Sequence, residues 1–375
     1  MHIGFIEDTH LHGGTQLWVA EAVQTFIEKN QKVTLVAPEG SWMVDQCRQS
    51  GASISTYDWE DIAHTGLENQ KIWTNALKKC DVAICTVHPP RDGFHCSVFA
   101  ARCIREGSLE THLIPKTGTI VPEYLREFYL SDENNHSSVI AITDFTRRYL
   151  IEKYNIPAEK VTLIYQGTDT VRFRHSDNHW HAAQKKYPLP GKAAPIIGSI
   201  GSFELRKGHP VLFEAIRELV NTSLPNAHLM MVGDGPDEKM LKERANTTGL
   251  AEHISFFPFT DEPDYVFEKL DITVLPSLNK EGLPNVLLES MSMGVPVVSS
   301  KIGGVSEIIV EGETGFTVEP GNSSALADAI KKVWIDQNKY REMKIKARKM
   351  IENRFDKAAQ FEEFLSHFQM LKLAN

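Results

Sequence analysis

The chain reads as α/β, with two doubly wound parallel sheets, and three observations predict it. Short β-branched runs recur at intervals that leave room for a helix between them, the series occurs twice, and a stretch without apolar periodicity separates the two. The first series is IGFI (3–6), VTLVAP (33–38), VAICTV (82–87), SVIAIT (138–143) and VTLIYQ (161–166). The second is PIIGSIGS (195–202), HLMMVGDG (228–235), ISFFPF (254–259), ITVLPS (272–277), VPVVSS (295–300) and GFTVEP (315–320). A length of 375 residues suits two domains, since one domain takes roughly 100–200 residues.

Between the series, VRFRHSDNHWHAAQKKYPLPGK (171–192) ends in a Pro/Gly cluster, as a connecting segment does. The predicted organisation is therefore an N-terminal domain over 1–175, a linker over 176–192 and a C-terminal domain over 193–356. His175, His179 and His181 fall in this segment, but neither cysteine nor carboxylate completes a recognisable ligand set, so no metal is predicted. Over 357–373, Phe361, Phe364, Leu365, Phe368 and Leu371 form an apolar stripe at helical spacing that must be buried. The expectation is that 357–375 packs back on the N-terminal domain. Before it, KKVWIDQNKYREMKIKARKM (331–350) places many lysines and arginines on a helical pattern. Its apolar positions look few, which favours a solvated outer face over a membrane-surface helix, while peripheral membrane contact stays open.

Composition narrows the function classes. With 42% hydrophobic and 24% charged residues the chain is of ordinary globular type, and a net charge of -9 argues against a nucleic-acid partner. The five cysteines, Cys47, Cys80, Cys85, Cys96 and Cys103, contain no CxxC pair and read as reduced thiols. No segment has the ~18 apolar residues of a membrane span, and the N-terminal apolar run is too short for a signal peptide. A cytoplasmic location follows as an expectation, with the sequons at Asn135, Asn221, Asn246 and Asn322 silent there. Oligomeric state is not legible.

The chemistry concentrates in EGLPNVLLESMSMGVPVVSS (281–300). Glu281 and Glu289 stand eight positions apart around Pro284, which is suited to the first turn of a helix ending near Gly294. Glu281 thus precedes the helix and Glu289 lies inside it. The first amides of that helix, around Pro284, Asn285 and Val286, lack intrahelical acceptors and with the helix dipole favour an anion such as phosphate. Carboxylates accept hydrogen bonds from vicinal hydroxyls, which sugars and riboses supply. A loop at the carboxyl end of a parallel strand that offers both is suited to a nucleotide-sugar.

At this point the sequence resembles the GT-B fold retaining glycosyltransferases of family 4, the E-x7-E group 1 enzymes, in EGLPNVLLESMSMGVPVVSSKIGGVSEIIVEGETGFTVEP (281–320). GGTQLWVAEAVQTFIEKNQKVTLVAP is similar to the family's N-terminal glycine loop, helix and second strand. VIAITDFTRRYLIEKYNIPAEKVTLIYQGTDTVRF is similar to the segment before the linker, and IGSFELRKGHPVLFEAI and MMVGDGP to the start of the nucleotide domain.

The resemblance implies two Rossmann-like domains facing a cleft and transfer of a sugar, with retention, from a nucleoside-diphosphate sugar to an acceptor hydroxyl. UDP is the favoured nucleotide and a bacterial glycan or glycolipid the favoured product class. The donor would be a substrate, with neither cofactor nor metal needed. By the same resemblance Glu281 would bind the donor sugar, Glu289 the ribose, and Leu283, Pro284, Asn285 and Val286 the diphosphate and sugar. Lys207 would neutralise the diphosphate, Gly13 and Gly14 would approach it from the other domain, and the base would lie near Gly233 and Phe257. Taken singly these residues also have structural readings: a tight turn at Gly13-Gly14, a surface lysine at Lys207, a strand-end turn at Gly233 to Gly235, and core aromatics at Phe256, Phe257 and Phe259.

Two positions depart from the family pattern. Ser202 stands where an arginine is usual, with Arg206 as a candidate replacement, and Thr117 stands where a histidine near the donor sugar is usual, with His88, His10 and His12 as substitutes. These departures keep two alternatives open: a nucleotide-sugar-binding partner subunit without transfer activity, and a GT-B epimerase.

Overall fold

A computed structural model describes residues 1–10, 13–62, 66–88, 95–118, 120–130, 137–279 and 281–374. His12 and the sequon at Asn135 lie outside the described residues. The chain forms two compact units, Met1–Tyr165 with Ala359–Asn375, and Gln166–Ala358.

The first unit is built on seven parallel strands: β1 (His2–Ile6), β2 (Lys32–Pro38), β3 (Ser53–Tyr57), β4 (Val82–Val87), β5 (His112–Thr117), β6 (Val139–Ala141) and β7 (Val161–Leu163). Their order is β3-β2-β1-β4-β5-β6-β7. All six residues of β4 are buried, as expected for a central strand covered on both faces, and such strands read as continuous apolar runs. Two strands escape that reading. Along β3, in SISTY, only Tyr57 is fully buried, because the strand sits at the sheet edge. In β5, HLIPKT, a proline and a lysine argue against a central strand, yet every residue is buried and Val82–Val87 pairs with His112–Thr117 along its length.

The second unit holds six parallel strands: β8 (Ile196–Ile200), β9 (His228–Val232), β10 (Ile254–Phe257), β11 (Ile272–Leu275), β12 (Val297–Ser300) and β13 (Gly315–Val318), in the order β10-β9-β8-β11-β12-β13. The two doubly wound sheets are those the sequence predicts.

The segment predicted as a solvated linker differs. Asp177–Lys186 is a helix of the second unit, packed on the short helix Pro263–Phe267. His175 bonds Glu268 at 2.7 Å and the His179 ring stacks on Tyr265 at 4.6 Å. Polar and aromatic contacts hold this helix with Ala183 as its one buried residue, so it carries no apolar stripe to read. The basic helix Gln337–Arg354 does expose Lys339, Arg341, Lys346 and Lys349 on an outer face, but its apolar positions are not scattered, since Tyr340, Met343, Ala347 and Ile351 form a continuous buried face. Arg348 is spent inside the unit, on the carbonyl oxygens of Thr170 and Ser292.

The helix Lys357–Ala374 lays Phe361, Phe364, Leu365 and Phe368 into the core of the first unit, with Trp18 and Phe26. All five cysteines are buried and unpaired. No described helix is long and apolar enough to cross a membrane.

Candidate functional site

In the second sheet the chain winds from β8 outward through β9 and β10, then crosses to β11 on the other side of β8. The loops after β8 and β11 therefore leave in opposite directions, and their carboxyl ends open a crevice of the kind that binds ligands in such sheets. The loop after β8 carries Ser202, Arg206 and Lys207, and the loop after β11 carries Glu281.

Tertiary packing joins these loops. Gly208 takes φ +72°, and a Cβ there would lie 2.0 Å from the Pro276 carbonyl oxygen, so only glycine lets the turn before it reach the end of β11. The Leu278 amide donates to the Arg206 carbonyl at 2.8 Å. Lys207 Nζ is thereby delivered 2.6 Å from Glu281 Oε1, which also accepts from the Ser277 hydroxyl at 2.7 Å. The two charged residues assigned separately from sequence form one ion pair, whose side chains are 17% and 9% exposed. Gly208→Ala is expected to cost about 1–3 kcal/mol through strain at this positive φ, read as a lower urea midpoint with unchanged slope.

Pro284 differs in detail from its predicted place. It caps the helix Asn285–Ser292 rather than opening its first turn. The amides of Leu287 and Leu288 turn to the Pro284 carbonyl, so among the described residues Asn285 and Val286 keep their amides without an intrahelical acceptor. Gln166 donates to the Asn285 side chain, Leu283 is buried, and Glu289 sits half-buried about 6 Å along the axis from Asn285, at 1.5 Å per residue.

Ser202 and Arg206 meet on a third residue that sequence reasoning passed over. Glu204 accepts from the Ser202 hydroxyl at 2.7 Å and from Arg206 Nε and Nη2 at 2.6 and 3.1 Å. The Arg206 guanidinium holds its carboxyl below the usual carboxylate range. Gly233 brings the β9 loop against the Gly201 carbonyl, 2.0 Å from where a Cβ would stand, and its amide donates to the Phe257 carbonyl. The Phe257 ring packs edge-on against Tyr187 at 5.2 Å, while Phe259 is 58% exposed.

The first unit has its own crossing point, between β1 and β4. Gly13 is extended and caps the helix Gly14–Glu28, and neither Gly13 nor Gly14 has positive φ. A Cβ on Gly13 would meet only Gln16 Oε1 at 3.5 Å, so the described fold does not demand glycine at that position. Thr117 is buried, and its hydroxyl accepts from the Ile142 amide at 3.0 Å, which gives it a structural task between β5 and β6. His88 Nε2 lies 2.8 Å from Asp8 Oδ1, whereas His10 is exposed with its ring against Trp59.

Sequence reasoning also missed the buried charges at these strand ends. Burial pushes the Glu7 carboxyl up to about 7 and the Lys116 amine down to about 7, with Lys116 Nζ 4.1 Å above the Trp18 ring. Burial would raise Asp8 too, but the His88 hydrogen bond and neighbouring imidazoles outweigh it and hold the carboxyl below its usual range. The available signal was the pair Glu7-Asp8 directly after an apolar strand. Asp8, His95 and Cys96 bring ligand atoms within 4.8 Å of one another and are the described residues that could hold a metal. Asp8 accepts from the Cys96 amide and His95 Nδ1 from the Ser97 amide, while among the described residues His95 Nε2 is buried without a hydrogen-bond partner.

Residues 182–350 match the family model of glycosyl transferases group 1, a span that includes Ser202, Lys207, Glu281 and Glu289. Among curated proteins, the chain is 25% identical over 241 residues to a capsular polysaccharide biosynthesis glycosyltransferase, CapM, of Staphylococcus aureus, covering 62% of this chain and 61% of that one. It is 28% identical over 209 residues to a GDP-mannose-dependent alpha-(1-6)-phosphatidylinositol monomannoside mannosyltransferase of Mycobacterium tuberculosis, covering 54% of this chain and 53% of the relative. The matches thus span between half and two thirds of these relatives. Among solved structures, Anabaena Alr3699/HepE in complex with UDP superposes with a TM-score of 0.85 over 99% of this chain and all of that one, at 18% identity. The architecture of two Rossmann-like units is that of GT-B glycosyltransferases.

Proposed function

We propose that the protein is a retaining glycosyltransferase that moves a sugar from a nucleoside-diphosphate sugar to an acceptor hydroxyl. The observation that carries this reading is the Lys207–Glu281 pair at the crossing point of the second sheet, beside the open amides of Asn285 and Val286. A cation and a helix N-terminus together suit a diphosphate, and a carboxylate next to them suits the hydroxyls of the attached sugar. Departure of the nucleoside diphosphate develops negative charge, which a preorganised lysine and amide dipoles stabilise. In this reading the protein's own cations meet the diphosphate and no metal is called for. Glu289 holds the ribose, and the loops at Gly233 and Phe257 border the base. Gly13 is not demanded by the described fold, which leaves that position available to a ligand.

The acceptor is a glycan or lipid-linked sugar of bacterial surface assembly, and the protein works in the cytoplasm or at the inner membrane face. The base is decided by a thermal-shift screen of UDP-, GDP- and ADP-sugars, UDP first. One of the three is expected to raise the melting temperature, by about 2.7 kcal/mol of stabilisation at a hundredfold excess over Kd. Sugar transfer to a panel of glycan acceptors is then followed with the stabilising donor.

A second reading, a donor-binding partner subunit without turnover, draws on the structural engagement of Thr117 and on Ser202 being tied to Glu204. Binding without any transfer across that panel would favour it and overturn the enzyme reading.

A further inference from the structure

We infer that Glu204 is a displaceable counter-ion for Arg206, holding that cation in the unliganded protein and yielding it to the diphosphate of the donor. The inference rests on the donor reading above and concerns a residue which that reading does not use.

Both cations of the turn after β8 are already occupied by carboxylates, but the two pairs are built differently. Glu281 is 9% exposed on its side chain and is fixed by Lys207 and Ser277 together. Its own backbone is packed against Gly303, where a Cβ would lie 2.0 Å from the Glu281 carbonyl oxygen. Glu204 and Arg206 are each 34% exposed on their side chains, two residues apart on one turn. The backbone on either side of Glu204 is fixed, through Phe203 to Asp234 and Asp237 and through the Leu205 amide to the Asp237 carboxylate. Among the described residues, the Glu204 side chain itself is held by the Ser202 hydroxyl and the Arg206 fork alone.

The bidentate geometry is the one a guanidinium also offers a phosphate, so the carboxylate occupies the place of two phosphate oxygens. A half-exposed pair is worth little, about 0.2–1 kcal/mol, so a dianion can replace the carboxylate without a large penalty. The consequence is a donor site that is electrically balanced when empty. Glu204 competes with the donor on entry and returns to Arg206 as the nucleoside diphosphate leaves.

Calorimetric titration with inorganic pyrophosphate, and in parallel with UDP, GDP and ADP, of the wild-type chain, Glu204→Gln, Arg206→Gln and the double variant tests this. Glu204→Gln is expected to bind pyrophosphate about two- to fivefold more tightly, from the energy of such a pair, with the gain shrinking at high salt. The gain should vanish when Arg206→Gln is already present. An unchanged or weaker affinity of Glu204→Gln, no pyrophosphate binding by that variant, or a gain that survives in the Arg206→Gln background would each overturn the inference. If pyrophosphate behaves as expected while no sugar nucleotide is consumed, the transferase reading fails and the counter-ion role stands.

Discussion

Glu281→Ala is expected to lower the rate of sugar transfer by about a hundred- to a thousandfold, the range seen when one preorganised polar contact to a reacting group is lost. Binding of the free nucleoside diphosphate should be retained or tightened in the same variant. The asymmetry follows from the ion pair: Glu281 holds Lys207 Nζ at 2.6 Å, so its removal frees a positive charge for the diphosphate while deleting the group proposed to grip the sugar. Glu289→Ala should do the reverse, weakening the diphosphate through the ribose, because that side chain lies on the second turn of the helix Asn285–Ser292. Calorimetry with the nucleoside diphosphate and initial rates with the sugar donor separate the two. Equal behaviour of the variants in both measurements would show that the roles are misassigned.

Phe364→Ala is expected to destabilise the protein by about 3–5 kcal/mol, as removal of a fully buried phenylalanine does. Its ring has no solvent exposure and lies 5.2 Å from Trp18 and 5.8 Å from Phe368. The side chain belongs to the C-terminal helix but completes the core of the N-terminal unit, so the loss falls on residues more than 330 positions away in sequence. Calorimetric scanning should show a melting temperature lower by on the order of 10 °C. Leu373→Ala, at an 87% exposed position of the same helix, should change stability by no more than about 0.5 kcal/mol. A fall confined to Leu373→Ala, or none for Phe364→Ala, would mean that the helix is not a core element.

Buried parallel strands announce themselves through β-branched apolar runs, and eleven of them could be read that way, from Ile3 to Val318. The edge strand Ser53–Tyr57 and the proline- and lysine-bearing strand His112–Thr117 could not, because neither carries the run. The helix Asp177–Lys186 was equally silent. Its partners are Glu268 and Tyr265, and contacts of that kind leave no periodicity. The glutamate spacing beside a helix start singled out Glu281 and Glu289, whereas Lys207 was assigned through the family resemblance.

That Lys207 and Glu281 touch, that Thr117 is buried structure and that Arg206 is already held by Glu204 were decided by tertiary packing. Periodicity and residue type are local properties, so they fix which elements form and which residues are chemically able. Pairing across 74 positions depends on the crossing of β8 to β11 and on a glycine at 208 that lets one loop rest on another. No local pattern encodes that distance, because it is set by the sheet order and by the space a missing Cβ leaves open.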